Sequence, residues 1–585
     1  MSIFNQIKVN KPGRTAFNLS HNYKMTGEMG ILYPIFCQDV VPGDTFKVST
    51  EIFMRMQPLI APMMSRVRIY THYFFVPKRL LWKGWKEFYT GASQSKARTD
   101  IDNFVVPEYP RLQFATDYVT GVFPNAGDVG KVPFTSRELA DYLGFPVFQH
   151  GNADNRAVKG NLVVLDELPF RAYQLIWNEY YRDENLMDEQ DIHFERDGVH
   201  VVDPQDEEDL NLMYLRRRAW KKDYFTSALP FAQAGPDVLL PLTGLQDNRL
   251  ELMVDYLPGA VHEGEFTRTG ILSERLSEYT SNFGLSANDG FLNNPNDSHS
   301  SINLDVPRDS DGYSVIGVDN RQLKNLMSNI GSATINELRR AFAAQRFLEA
   351  TARGGSRYIE MLYSLFGVRS SDARLQRPEY LGGGVQDIVV SDVLQTSASV
   401  DVGNQKSPQA NQAGVGASIG RTASFNRYFE APGYVIGIMS ILPDASYMQG
   451  MPKQYTKFDR LDHYWPQFAH LGEQEIKQHE LYFTGLPQSG SMTDYDDTPI
   501  FGYTPRYAEY KYVPSSIHGD FREDLSFWHL GRIFNSAPAL NKEFIWAEPR
   551  KDVFAVTEKG THHFLFNIQH HFKAIRPMPR FGTPS

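Results

Sequence analysis

Cysteine is almost absent from this chain: Cys37 is the only one in 585 residues. A single thiol excludes an internal disulfide framework and any multi-cysteine zinc site, and it fits assembly in a reducing compartment. Long apolar runs are missing too. No stretch approaches the roughly 18 apolar residues that cross a bilayer, and the opening MSIFNQIKVNKPGRTAFNLS has no apolar segment of signal-peptide length. No membrane insertion is expected.

Catalytic signatures also fail, each on its own terms. HEGEF from His262 and HELYF from His479 open like a zinc-protease helix, but neither has the second His four residues on that would put two ligands on one face. GVGASIG from Gly414 lacks dinucleotide-binding spacing, and no glycine-rich loop ends in Lys-Ser or Lys-Thr. In RDSDGY, Asp309, Asp311 and Gly312 sit as in a calcium loop, yet Pro307 takes the first ligand position and Val318 the place of the bidentate acid, which rules out an EF-hand. The pairs His562-His563 and His570-His571 bracket a strand, with His562 and His570 on one face but about 26 Å apart along it; both pairs read as exposed strand ends. Clustered Ser, His and acid are too common in a chain this long to indicate a triad without geometry, and no nucleophile elbow is read here. The expectation is a protein that is not an enzyme and uses no cofactor and no metal.

What is present is a folded, aromatic-rich chain. Hydrophobic residues make up 42% and aromatics 13%, enough for a substantial core, with 30 Tyr and 7 Trp. Net charge is −10, unevenly spread: residues 1–100 hold 14 Lys and Arg against 6 Asp and Glu, so they carry +8 and the remainder −18. A basic N-terminal region facing a polyanion is one reading of that asymmetry, although a chain acidic overall needs help to neutralise much nucleic acid.

Strand-like runs occupy both ends. Residues 1–29 read as an extended arm, and 30–80 hold two strand-like runs either side of Pro58 and Pro62. In RVRIYTHYFFVPKRLLWKGW, residues 66–85, Val67, Ile69, Thr71, Tyr73 and Phe75 form one face. The other face passes from Arg66 and Arg68 to Tyr70, His72, Phe74 and Val76, so its far side is expected to touch protein. Residues 81–242 read as long loops, helices and further strands. Thr135 and Glu138 have capping-box spacing in TSRELADYLG; Pro169 suits the first turn of a helix that puts Phe170, Tyr173, Trp177 and Tyr180 on one face; Thr334 and Glu337 open a helix that breaks at Gly354–Gly355. Residues 243–320, rich in Asn, Asp, Ser and Gly toward their end, read as an insertion displayed on a surface. From 321 to 585, helix-containing loops give way to strands at VQDIVVSDVLQTS, YFEAPGYVIGIMSILP and THHFLFNIQHHFKAIRP. Between the first two of these, VGNQKSPQANQAGVGASIG, residues 402–420, reads as a linker. Strands at both ends suggest a sheet completed by sequence-distant partners.

Several long blocks occur in an order that resembles the major capsid proteins of gokushovirus-like microviruses, single-stranded DNA phages of bacteria. They include FNLSHNYKMTGEMG, THYFFVPKRLLW, LPFRAYQLIWNEYYRDENL, RRRAWKKDYFTSALPFAQAGPDVLLPL, RRAFAAQRFLEATARGGSRYIEMLYSLFGVRSSDARLQRPEYLGGG, FGYTPRYAEYKY and the terminal RPMP. The resemblance implies a mainly β protein: a single eight-stranded antiparallel jelly roll, a β-sandwich, with long inserted loops and several α-helices. It also implies a structural role, sixty copies building a T=1 icosahedral capsid around a circular single-stranded DNA genome. The implied partners are further copies of the chain, a small basic DNA-packaging protein, the packaged DNA and a host surface receptor met by exposed loops. The implied location is the virion, assembled in the bacterial cytoplasm, with residues 243–320 forming protrusions at the threefold axes. Charge position then nominates Lys8, Lys11, Arg14, Arg576 and Arg580 for DNA contact, and Arg66, Arg68, Phe74, Trp82, Arg339, Arg346 and Arg353 for contact between subunits. The rival reading is a jelly-roll carbohydrate-binding or carbohydrate-active protein, for which no spacing of paired carboxylates selects a site.

Overall fold

The computed structural model describes residues 13–90, 107–114, 136–145, 164–202, 206–235, 291–292, 302–303, 335–354, 357–394, 400–402, 405–407, 412–484, 498–558 and 561–581. The chain divides into two units. Residues 235–348 are one, and the rest of the chain is the other.

Among the described residues, the two main sheets of the larger unit hold ten strands: β1 (Thr15–Asn18), β2 (His21–Gly27), β3 (Tyr33–Val40), β4 (Thr45–Met56), β5 (Val67–Pro77), β6 (Glu379–Asp387), β7 (Val389–Leu394), β8 (Gln412–Tyr428), β9 (Gly433–Pro443) and β10 (Phe564–Arg576). In one sheet β10 takes β1 and β2 on one side and β4 on the other, followed by β8 and β7; in the second the order is β6, β5, β9, β3. All of these pairings are antiparallel. The expectation of a mainly β, antiparallel fold closed by sequence-distant strands is met: β10 pairs with β4 from Phe564 opposite Met56 to Ile575 opposite Thr45.

Alternation explains which side faces in. β4 turns Phe46, Val48, Thr50, Ile52, Met54 and Met56 inward, and β10 turns Phe564, Phe566, Ile568, His570, Phe572 and Ala574 the same way. Opposite them, β5 contributes Val67, Ile69, Tyr73 and Phe75, and β9 contributes Val435, Met439 and Ile441. The two sheets thus meet face to face over a common core. Every residue of β9 is buried, because the outer face of its sheet is covered as well.

That cover is the answer to the two-faced β5 segment. Phe74 and Val76 point into a second core with Leu81, Trp82, Ile436, Ile438 and a helix, α1 (Leu168–Tyr180). α1 has Pro169 in its first turn, and Asp166 Oδ1 accepts from Leu168 N at 2.9 Å. The expected face of Phe170, Tyr173 and Trp177 is buried, but so are Arg171, Gln174 and Asn178, so the helix is enclosed nearly all round rather than laid on a surface.

Two local readings need correction. Residues 412–420, taken as part of a linker, are the first half of the 17-residue strand β8. The glycines there admit close neighbours: a Cβ at Gly416 would lie 2.0 Å from Met56 Sδ, and one at Gly414 2.8 Å from Ala61 O. The helix with capping-box spacing is a single turn, Leu139–Tyr142, whose preceding Glu138 makes no side-chain cap.

The break at Gly354 falls as expected, separating α2 (Ile335–Gly354) from α3 (Tyr358–Phe366). Of the unit spanning 235–348, the described parts are the α2 residues up to Leu348 and a two-strand pairing of Phe291–Leu292 with Ile302–Asn303. The 243–320 insertion otherwise lies outside the described residues. No helix among the described residues is long and apolar enough to cross a membrane.

Candidate assembly surface

His563 and His570 are fully buried and His562 is half-buried, so the reading of exposed strand-end histidines is overturned for these three, while His571 is exposed as expected. His563 Nδ1 lies 2.6 Å from Glu28 Oε1 and its Nε2 lies 2.8 Å from Val556 O. Burial disfavours charge on that ring, but two acceptors outweigh it, and the pKa rises above the usual histidine value. His570 is the opposite case. Its Nε2 sits 2.9 Å from Ile35 O and its Nδ1 3.1 Å from Thr50 Oγ1; burial, aided by His21, lowers its pKa to about 4. Each ring is consumed in bridging strands.

The pentapeptide GASIG, residues 416–420, has the letters of a nucleophile elbow without its geometry. Ser418 is buried in the middle of β8, where its hydroxyl donates to Asp387 O at 2.6 Å and meets Gln386 Nε2 at 2.6 Å. Among the described residues, no group of three or more His, Cys, Asp or Glu is placed to hold a metal.

The residues nominated for DNA contact are partly brought together. Arg14 and Arg576 converge on the turn before β4: Arg14 donates to Gly43 O and to Thr45 Oγ1 at 3.0 Å, while Arg576 donates to Asp39 O at 3.1 Å and lies 3.6 Å from Asp44 Oδ2. Arg580 is exposed beside Phe581. Lys8 and Lys11 lie outside the described residues.

Those nominated for subunit contact scatter. Arg66 forms a two-pronged pair with Asp387, both bonds 3.1 Å, and Arg68 reaches Asp444 at 2.6 Å. These arginines find acids within their own chain. Phe74 is buried against Tyr180 and Tyr380, with ring centroids 4.7 and 5.6 Å away, and Trp82 is buried with its indole N–H on Asp197. A neighbouring subunit cannot reach either, so both leave the candidate set; the cover they required is intramolecular. Arg339 and Arg346 are exposed on α2, and Arg353 near its end pairs with Glu473.

The surface that stands out was not singled out by number. None of the nine residues of α3 is buried, although they read YIEMLYSLF, and Phe366 is 72% exposed. The turns over 453–471 and 507–513 expose Tyr455, Phe458, Leu461, Tyr464, Tyr510 and Tyr512, with Val513 90% exposed. These side chains stand on a polar scaffold beneath them. Glu509 binds Lys457 at 2.6 Å and Gln474 at 2.7 Å, and Gln474 Oε1 accepts from Tyr507 N at 2.9 Å. Burial pushes the Glu509 carboxyl up, but these bonds outweigh it and hold its pKa below the usual value. Tyr507, left-handed at φ 61°, packs its ring 5.0 Å from Tyr464, and Lys457 Nζ lies 3.7 Å above the Tyr510 ring. The end of α2 leans on the same turns: Glu349 lies against Gly472, where a Cβ would meet its Oε1 at 2.9 Å, beside the Arg353–Glu473 pair. The aromatic density of YTKFDRLDHYW and YAEYKYV was visible in sequence, but it follows neither a two-residue nor a 3.6-residue period, so it gave no face to name.

Comparison with known proteins matches residues 5–585 to the family described as Capsid protein (F protein). Among curated relatives, the chain is 34% identical to the "Capsid protein VP1" of Chlamydia phage 1 over 617 residues, covering 99% of this chain and 97% of that one. It is 33% identical to the protein of the same name from Bdellovibrio phage phiMH2K over 590 residues, covering 100% and 97%, and 27% identical to that of Spiroplasma virus 4 over 603 residues, covering 99% and 97%.

Proposed function

The chain belongs to the phage capsid protein (F protein) family, a structural and not an enzymatic one, and from that premise we propose that sixty copies close a T=1 icosahedral shell around circular single-stranded DNA. That it is a self-assembling major capsid protein and a virion component follows from the family itself. The observation that carries the proposal is the end-to-end match over residues 5–585, joined to a two-sheet antiparallel fold.

The strand order supports an eight-stranded jelly roll. β2, β10, β4 and β8 form one four-strand layer and β3, β9, β5 and β6 the other, so successive strands of the chain repeatedly change sheet, as paired Greek keys require. On this reading β1 and β7 extend the first layer. A net charge of −10 per chain supports a separate small basic protein as the main counter-charge for the genome. The lone Cys37 supports assembly in the bacterial cytoplasm, and host recognition is assigned to exposed loops, with residues 243–320 foremost as threefold protrusions.

Local DNA contact is assigned to the corner where Arg14 and Arg576 meet, with Lys8, Lys11 and Arg580 beside it in sequence. Arg339 and Arg346 remain candidates for subunit contact. Electron microscopy and sedimentation of the full-length protein are expected to show uniform icosahedral particles of sixty subunits; a persistent monomer with affinity for glycans overturns the proposal. Replacing Lys8, Lys11, Arg14 and Arg580 together by Ala is expected to lower packaged DNA per particle, and unchanged DNA content removes that corner from the DNA interface.

A further inference from the structure

A soluble monomer has no use for the exposed surface of α3 and the two turn regions. The end of α2 touches both parts, since a Cβ at Gly354 would meet Ser364 Oγ of α3 and Arg353 pairs with Glu473 beside the turns; exposed apolar clusters mark interaction sites, and Tyr, Trp and Arg are the side chains that dominate protein interfaces. Its construction points the same way. The scaffold of Lys457, Glu509, Gln474 and Tyr507 fixes the rings before any partner arrives, which lowers the ordering entropy that binding must meet.

The charge pattern selects the kind of partner. A polyanion is held by unpaired cations alongside its stacking rings. Here Lys457 is neutralised by Glu509, Lys453 donates to Glu475 O at 2.9 Å, and Lys511 donates to Arg506 O at 2.9 Å. Arg357, at the head of α3, is spent on Glu184 and on the carbonyls of Asn178 and Arg182. Arg369 and Arg460 stack on Tyr363 and Trp465 of the same surface, so its cations and rings are engaged largely with one another, in the Tyr, Trp and Arg mixture of protein interfaces.

We propose that α3 together with the turns at 453–471 and 507–513 forms one face of a contact between copies of this chain. The proposal rests on the shell-forming role above, which supplies a second copy as the occupant. The contact is preformed, aromatic and weakly charged, and it is insensitive to salt compared with an interface made by the exposed arginines of α2.

The test introduces a carboxylate into exposed apolar positions of the full-length protein, Phe366→Asp on α3 and Leu471→Asp on the turns. Both variants are expected to keep the wild-type thermal unfolding midpoint as protomers and to lose about tenfold or more of the particle yield on sedimentation. Particles at wild-type yield overturn the contact and leave the shell standing. Normal particles with reduced DNA also overturn it, because the surface then meets the genome. Failure of the wild-type chain to form particles overturns the shell and the contact with it. Should a variant not fold, amide exchange on the wild-type protein decides: residues 455–471 and 507–513 are expected to exchange more slowly in particles than in released protomers, and equal rates overturn the proposal.

Discussion

Arg171 has no solvent at all, and neither does its partner. Its guanidinium donates to Glu167 Oε1 at 3.0 Å, Leu81 O at 3.1 Å and Arg196 O at 3.1 Å, while Arg196 adds a 2.7 Å bond to the same carboxylate oxygen and another of 2.9 Å to Asp209. One helix turn thereby fixes the chain after β5 and the loop around Arg196. Removing Arg171 strips Glu167 of one of its two cations and leaves the Leu81 and Arg196 carbonyls without their donor, a loss of about 3 kcal/mol, the low end of the range for a broken buried pair. Arg171→Ala is expected to show that loss in urea unfolding of the protomer. Arg66→Ala, which breaks a pair lying in solvent, is expected to leave the urea midpoint unchanged. Equal effects at the two positions would mean that burial does not set the value of these pairs.

β6 and β8 show how an element is built around residues that carry no side chain. A Cβ at Gly384 would stand 1.4 Å from Thr422 O, where the second sheet closes against the first, and both strands are irregular nearby, at Tyr380/Gly382 and Arg421/Ala423. Backbone faces backbone there, so neither side can yield by a rotamer change. Gly384→Ala is expected to cost about 1–3 kcal/mol, the usual range for overpacking, read as a fall in thermal midpoint. The same feature explains what could and could not be read from the residues alone. β4, β5 and β10 were legible because their alternation is carried by side chains, β9 because it is a continuous apolar run, and the aromatic turn on the far side of β5 correctly demanded a protein cover. β8 was not legible, since Gly414, Gly416 and Gly420 leave no alternation to see. Nor were the buried histidines, since a polar residue at an inward strand position is tolerable only with a partner, and the partners of His563 and His570 lie 535 residues away. The aromatic surface was visible as composition but not as a place, because its rings are gathered from two turn regions and a helix separated in sequence.

At the scale of the whole molecule, the ends of the chain are stitched by histidines, and that makes stability depend on pH in a defined direction. On β10, or immediately before it, His562 bonds Thr26 at 2.8 Å, His563 bonds Glu28, and His570 bonds Ile35 O and Thr50, so strands from residues 21–56 are held to the last strand by three rings. Burial first, with neighbouring positive charge second, lowers His72, His479 and His570 from 6.5 to about 4, and burial likewise dominates in lowering His562 to about 4. Across that interval the unfolded chain binds more protons than the folded one, so acid favours unfolding. Their contribution is complete above about 6.5 and is lost as pH falls from there through about 4. His563 acts with the opposite sign: its folded pKa is raised, so its contribution is complete below the unfolded value and is lost as pH rises through the folded one. Burial also lowers His193, so among the described histidines five depressed rings stand against one raised ring, and the set as a whole favours unfolding in acid. Carboxyls that burial raises, Glu138 to about 7 along with Asp44, Asp166, Glu179 and Glu480, act with the opposite sign over the same interval, so the slope of the thermal midpoint of the unassembled protein between about pH 6.5 and 4 is the sum of the two sets, and the histidines supply its fall toward acid. His570→Gln, which cannot titrate, is expected to flatten part of that slope while lowering the midpoint at pH 7, where the bridge to Ile35 and Thr50 is weakened. A slope unchanged by the substitution would show that acid lability resides in carboxylates elsewhere and not in the seam between the two ends of the chain.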